Sequence, residues 1–121
     1  MMYDLHIHST ASDGLLTPAE IISAAVEIGL TGLAITDHDT VGGIEEAYDF
    51  IDAHSIPLHL IPGIEMNAEI DENEVHILGY FIDYHSSRLL NKLKEIKEAR
   101  WERAQKMVYK LKSMGLAISL E

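Results

Sequence analysis

The sequence of 121 residues predicts an α/β fold, in which strands and helices alternate along the chain. Short apolar runs of strand type recur through the first 85 residues, helical stretches separate several of them, and polar residues follow the strand ends. A closed barrel built in this way typically needs at least ~200 residues. The chain is therefore either a small open sheet or the N-terminal portion of a larger barrel, and we favour the barrel portion.

The first strand and helix have clear local signals. Apolar and polar residues alternate over Tyr3–Ser9, which predicts a strand with its two histidines on one face. The segment Thr17–Glu20 combines a threonine N-cap, a proline at the first helical position and a glutamate at the third. Gly29 is a suitable residue to end this helix.

The middle of the chain repeats the alternation. We predict a second strand at Leu30–Thr36, a helix at Ile44–Ala53 and a third strand at Leu58–Ile61. The acidic turn Asp71–Glu74 then precedes a fourth strand at Val75–Ile82. This order favours a mainly parallel sheet.

The last third of the sequence changes to a helical period. Apolar residues at three- and four-residue spacing predict one long helix over Ser86–Met114, which Gly115 ends. Residues 116–120 are consistent with the start of another strand.

Charge is distributed unevenly between these regions. Sixteen of the twenty Asp and Glu residues and all seven histidines precede Arg88, whereas all nine Lys and Arg residues lie from Arg88 onward. The net charge of −11 argues against a broad nucleic-acid-binding surface. Crowded carboxylates without a fixed cation indicate a bound cation, although an ordinary acidic surface is the alternative. With no cysteine in the chain, His, Asp and Glu would have to bind such a metal.

Candidate ligands follow successive strand ends. His6 and His8 end the first strand, His38 follows the second and Glu65 follows the third. The carboxyl ends of parallel strands meet at one edge of a sheet, where catalytic residues collect. Nitrogen and oxygen donors suit Zn²⁺, Mn²⁺ or Fe²⁺, and six ligands exceed the needs of one tetrahedral zinc. The candidate set comprises His6, His8, Asp13, His38, Glu65 and His76.

Four segments resemble the motifs of the PHP family, the polymerase and histidinol phosphatase superfamily. They are Asp4–Gly14, Ile35–Thr40, Ile61–Glu69 and Val75–Tyr80, in the family's order. The order and sequences of these motifs are most similar to those of the branch of bacterial nucleoside 3′,5′-bisphosphate phosphatases and 5′-3′ exoribonucleases. The resemblance implies the N-terminal portion of a distorted (β/α)7 barrel over residues 1–85. It also implies that residues 86–121 begin an inserted helical subdomain.

The resemblance gives roles to particular side chains. It implies that His6 and His8 bind one metal and that Asp13 binds another. It also implies that Glu65 is a bridging carboxylate and that His38 and His76 are further ligands. Asp37 is expected to accept a hydrogen bond from an imidazole N–H. The family's later ligands, a histidine and an Asp-x-His pair, have no counterpart in this chain. A complete site would hold two or three divalent metals.

The basic helix resembles the substrate-contacting part of the inserted subdomain. Within Glu98–Arg103, Arg100 and Arg103 share a helix face and are implied to bind substrate phosphate. A solvated helix face with Glu–Lys pairing is the alternative.

The function implied is hydrolysis of nucleotide phosphate esters by metal-activated water. Its substrates would be nucleoside 3′,5′-bisphosphates or the 5′ ends of short RNA. The alternatives are a histidinol-phosphate-type phosphomonoesterase and a non-catalytic metal-binding module. Without an apolar run of ~20 residues or a signal peptide, we expect a cytoplasmic protein and no membrane partner. Exposed sheet edges of a barrel portion would favour self-association.

Overall fold

The computed structural model describes residues 1–120, which form four strands and three helices. The chain divides into two compact units, Met1–His85 and a second that begins at Ser86. The elements in chain order are β1 (Tyr3–Ile7), α1 (Pro18–Glu27), β2 (Gly32–Ile35), α2 (Ile44–His54), β3 (His59–Ile70), β4 (Asn73–Tyr80) and α3 (Ser87–Ser113).

The first unit contains one sheet with the strand order β1-β2-β3-β4. The first three strands are parallel, as predicted, but β3 and β4 form an antiparallel hairpin. Only Asp71 and Glu72 connect the two strands, whereas a parallel crossover needs a dozen or more residues. Both residues have positive φ, 51° and 67°, as a type I′ hairpin turn requires. The fourth strand therefore differs from the parallel arrangement that the alternation favoured.

The core of the first unit lies between helices α1 and α2 and the sheet. The predicted start of α1 is confirmed, because the Thr17 hydroxyl accepts a hydrogen bond from the Glu20 N–H at 3.2 Å. Gly29 follows the helix with φ +82°, a conformation that glycine adopts without strain. The core joins both helices to the strands through Ile21, Ile22, Ala25, Leu33, Ile35, Ala47, Leu58 and Leu60.

The sheet is strongly curled. The Tyr80 hydroxyl at the end of β4 donates a hydrogen bond to the Leu5 carbonyl of β1 at 2.7 Å. In a flat sheet of this order the first and last strands would lie about 14 Å apart, from three spacings of roughly 4.8 Å. The curvature confirms the prediction of an α/β barrel portion.

The second unit consists mainly of α3. The Ser86 side chain caps its start by accepting from the Leu89 N–H at 3.3 Å, and Gly115 follows its end with φ +95°. Residues 116–120 form no strand, so the expectation of a further strand there is wrong. Among the described residues, no helix has both the length and the apolar character that crossing a membrane requires.

Candidate metal centre

Backbone pairing beyond the ends of β2 and β3 positions the centre. The Glu65 N–H donates to the Asp37 carbonyl at 3.0 Å, and the Asp39 N–H donates to the Glu65 carbonyl at 3.0 Å. These two bonds form a parallel bridge between His38 and Glu65. The side chains of these two residues therefore lie next to each other at the carboxyl edge of the sheet.

Glu65 lies at the middle of the centre and is only 1% exposed. Its Oε1 atom contacts His6 Nε2 and lies 3.3 Å from His8 Nε2. Its Oε2 atom lies 3.0 Å from His38 Nδ1 and 2.9 Å from His76 Nδ1. One buried carboxylate thus faces four imidazoles, two on each oxygen.

Two further carboxylates face the outer side of three of these imidazoles. Asp13 approaches His8 Nδ1 at 2.9 Å and His38 Nε2 at 3.4 Å. Glu74 lies 3.2 Å from His76 Nε2. Each of these three histidines consequently has a carboxylate oxygen near both of its ring nitrogens.

This arrangement fits bound divalent cations. A neutral imidazole has one N–H donor, so it can hydrogen-bond only one of two flanking carboxylates. His38 Nδ1 is buried and makes no hydrogen bond, although Glu65 Oε2 lies only 3.0 Å away. A cation bound among these nitrogen and oxygen atoms would be coordinated by lone pairs such as that of His38 Nδ1. Three sets of donors lie close enough to share an ion: His6, His8 and Glu65; His8, Asp13 and His38; His38, Glu65 and His76.

Glu65 is held in its ionised form. Burial by itself would raise the pKa of this carboxyl group. The hydrogen bond from His6, the charge of His38 and the hydrogen bonds from His76 and His8 outweigh burial and lower the pKa below its ordinary value. The centre therefore contains an acceptor-only carboxylate near neutral pH.

His76 provides a pH test of the geometry in the metal-free chain. Its hydrogen bonds to Glu74 and then to Glu65 raise the pKa of His76 above its ordinary value of 6.5. Protonated His76 therefore contributes to the stability of the fold. This contribution is fully present below pH 6.5 and is lost as the pH rises through the pKa of His76 in the folded state. We expect the His76 ring protons to titrate above pH 6.5 by NMR in the presence of EDTA.

The variant Glu74→Gln should bring this titration midpoint down towards 6.5, because the hydrogen bond to Glu74 is the largest cause of the upward shift. Glu72→Gln, in the adjacent turn, is the matched control and should leave the midpoint unchanged. An unaltered midpoint in Glu74→Gln would contradict the assigned contact.

The structure brings together all six side chains predicted as ligands, namely His6, His8, Asp13, His38, Glu65 and His76. It gives Asp37 different neighbours from those expected. Its carboxylate accepts hydrogen bonds from Ser9 and Ser12 of the loop that follows β1, and among the described residues no imidazole donates to it. Arg100 and Arg103 lie on α3 in the second unit and are both exposed.

Three further side chains, those of Glu74, Ser9 and Ser12, contact the centre or its supporting loop and were not among the predicted site residues. Glu74 precedes His76 by two residues on the same strand, so period-two alternation was a usable signal for it. Ser9 and Ser12 meet Asp37 only through the tertiary fold, because at least 25 residues separate them in the sequence.

A family model and several known proteins match this chain. Residues 4–116 match the PHP domain. The chain is 40% identical over its whole length to the 5′-3′ exoribonuclease Rnm of Escherichia coli, covering 41% of that protein. It is 41% identical over 94% of its length to the 3′,5′-nucleoside bisphosphate phosphatase of Chromobacterium violaceum, covering 39% of that protein.

A solved structure supports the fold independently. A candidate metal-dependent phosphoesterase from Bifidobacterium adolescentis superposes with a TM-score of 0.82 at 32% identity. The match covers 99% of this chain and 41% of that one. The chain thus spans about two fifths of the length of each of these three proteins.

Proposed function

The chain belongs to the PHP domain family, and from that premise we propose that it forms the N-terminal part of a metal-dependent phosphoesterase. Its substrates would be nucleotide phosphate esters. The relatives named above act, by their names, as a 5′-3′ exoribonuclease and a 3′,5′-nucleoside bisphosphate phosphatase. We assign this chain to the same substrate class.

The observation that carries the proposal is the convergence of four imidazoles on the buried carboxylate of Glu65. Burying an ionised carboxylate is costly unless charges or hydrogen bonds compensate for it. The first 87 residues contain no Lys or Arg that could supply a fixed positive charge. Divalent cations supply that charge and use the imidazole lone pairs, so the donor set supports a multinuclear site.

Each imidazole can serve one ion, because its neutral form has a single lone-pair nitrogen. Glu65 can serve two ions, since its two oxygens face different pairs of histidines. We therefore propose that the site holds two or three divalent ions. Manganese, zinc and iron suit its nitrogen and oxygen donors. With three ions, His6, His8 and Glu65 would hold one, Glu65 and His76 would hold the second, and Asp13 and His38 would hold the third.

Bound divalent ions would provide Lewis acidity and lower the pKa of a coordinated water towards neutrality. The protein's own groups have three tasks in this scheme. Glu65 would offer both oxygens of its buried, ionised carboxylate to the ions. Asp13 and His6, whose side chains are 65% and 53% exposed in this chain, would hold the outer ions of the cluster. Glu74 orients the His76 ring through its outer nitrogen.

We further propose that α3 belongs to an inserted subdomain whose arginines select the substrate. Arg100 and Arg103 are three residues apart on this helix, so both guanidinium groups point to the same side. A guanidinium binds phosphate oxygens in a bidentate manner. Two such groups favour a substrate with a second phosphate over a simple monoester.

The test is hydrolysis by the full-length protein encoded by the gene, assayed with Mn²⁺. We expect turnover of adenosine 3′,5′-bisphosphate and of short 5′-phosphorylated RNA. The double variant Arg100→Ala/Arg103→Ala should lower kcat/KM for the bisphosphate by at least about tenfold, since charge-assisted hydrogen bonds contribute roughly 1.5–3 kcal/mol each. Phosphate release and metal content are measured in parallel.

Lys110→Ala, an exposed cation on the same helix, is the matched control and should retain the kcat/KM of the unaltered protein. Preferential turnover of histidinol phosphate would replace the proposed substrate class with that of a small-molecule phosphomonoesterase. Bound metal without hydrolysis of any of these substrates would identify a non-catalytic module.

A further inference from the structure

Asp37 is a buried carboxylate surrounded by three donors. It is 1% exposed, and Ser9, its main partner, is fully buried. The Ser9 N–H and the Ser12 hydroxyl donate to Oδ1, and the Ser9 hydroxyl donates to Oδ2, each at 2.6 Å. Hydrogen bonds to an ionised acceptor are about twice as strong as neutral ones. This group therefore ties the residues after β2 to the loop after β1.

The same loop folds tightly around Ser9. The Ser9 carbonyl accepts from the Ser12 N–H at 3.1 Å and from the Gly14 N–H at 2.8 Å. The Ser9 hydroxyl, while donating to Asp37, accepts from the Ala11 N–H at 3.1 Å. The backbone of residues 9–14 is thus organised around the side chain that Asp37 holds.

Asp13 lies in this loop, and its position depends on the loop backbone. Its side chain is 65% exposed, so close packing does not fix its direction. The Ser12 hydroxyl lies 2.6 Å from Asp37 Oδ1 and 3.5 Å from Asp13 Oδ1, between the two carboxylates. Asp37 itself directly precedes His38 in the sequence, and Ser9 directly follows His8.

We propose that Asp37 is a positioning residue for the metal centre. Its buried carboxylate clamps the 9–14 loop through Ser9 and Ser12, so that Asp13 is presented to His8 and His38. The inference rests on the proposed metal site but concerns only groups of this chain. Loss of the clamp leaves two buried donors of Ser9 without their acceptor, and the loop would then present Asp13 in many directions.

Mn²⁺ binding to the full-length protein that contains this chain, measured by calorimetry, tests this role. Asp37→Asn and Ser12→Ala should each weaken Mn²⁺ affinity by about 10- to 100-fold, the usual cost of removing a group that supports a ligand. Ser12→Thr keeps the hydroxyl and should restore most of the affinity. Asp49→Asn, an exposed carboxylate on α2, is the control and should bind like the unaltered protein.

A double-mutant cycle separates positioning from general stability. If Asp37 acts through Asp13, its replacement should have little effect on affinity in an Asp13→Asn background. Additive losses in that cycle would overturn the positioning role while leaving the metal site intact. If Asp37→Asn does not fold, the same cycle with Ser12→Ala decides the question. Absence of Mn²⁺ binding by the unaltered full-length protein would overturn both the metal site and its clamp.

Hydrogen exchange of the metal-free full-length protein gives a second, independent measurement. The Gly14 and Ser12 amides donate within the loop and should exchange faster in Ser12→Ala than in the unaltered protein. Amides of α2 should keep their exchange rates. Unchanged exchange in the loop would contradict the clamp regardless of the metal results.

Discussion

Replacing Glu65 with glutamine is expected to abolish metal-dependent turnover and to lower Mn²⁺ affinity by more than about 100-fold. Loss of a group that only supports a ligand already costs 10- to 100-fold, and Glu65 is proposed to bind two ions directly. The variant keeps the size of the side chain but removes its charge and one acceptor oxygen. The ions would then lose the anionic group that separates and links them. Calorimetry with Mn²⁺ and phosphate release by the full-length protein measure the two effects.

Glu69→Gln is the matched control, because Glu69 lies on the same strand and is exposed. It should retain the affinity and the turnover of the unaltered protein. Near-normal turnover in Glu65→Gln would refute the bridging role. Lost turnover with retained Mn²⁺ affinity would instead assign Glu65 a role other than binding the metals.

Gly14→Ala is expected to displace the loop that carries Asp13. A Cβ atom at this position would lie 2.1 Å from the His8 carbonyl oxygen and 2.5 Å from its carbon. Both atoms belong to the backbone, so a side-chain rotation cannot relieve the contact. Forcing a methyl group into a tight site typically destabilises a protein by about 1–3 kcal/mol. We expect a stability loss of that size together with at least tenfold weaker Mn²⁺ binding, as for other disruptions of ligand support.

Gly42→Ala provides the comparison, since its nearest neighbour would be the Thr40 hydroxyl at 3.4 Å, an ordinary contact distance. It should change neither quantity appreciably. Urea unfolding gives the stability difference and calorimetry gives the affinity. Normal Mn²⁺ affinity in Gly14→Ala would show that the loop geometry does not govern the metal centre.

Elements with local signals could be predicted from the amino-acid sequence alone. The start of α1 follows from Thr17 and Pro18, and its end from Gly29, because capping groups act within one turn of the helix. The candidate ligands were also predictable, since alternation places His6 and His8 together and parallel strands bring their ends to one edge. The family resemblance rests on these same short segments.

The direction of β4 was harder to predict from the sequence. The acidic turn was visible, but the alternation of strands and helices favoured a parallel sheet. The two-residue connection decides the matter, because it allows only a hairpin. This hairpin places His76 opposite Asn67, two residues beyond Glu65 on β3.

The contacts of the polar groups in the centre depend on the tertiary fold and could not be predicted from local patterns. Asp37 precedes a predicted ligand, and the sequence suggested an imidazole as its partner. Its neighbours are instead Ser9 and Ser12, at least 25 residues away in the chain. Local pattern determines which residues share a strand face, because the backbone repeats every two residues. The curvature of the sheet and the path of the loops determine which faces meet, and these depend on contacts distant in the sequence.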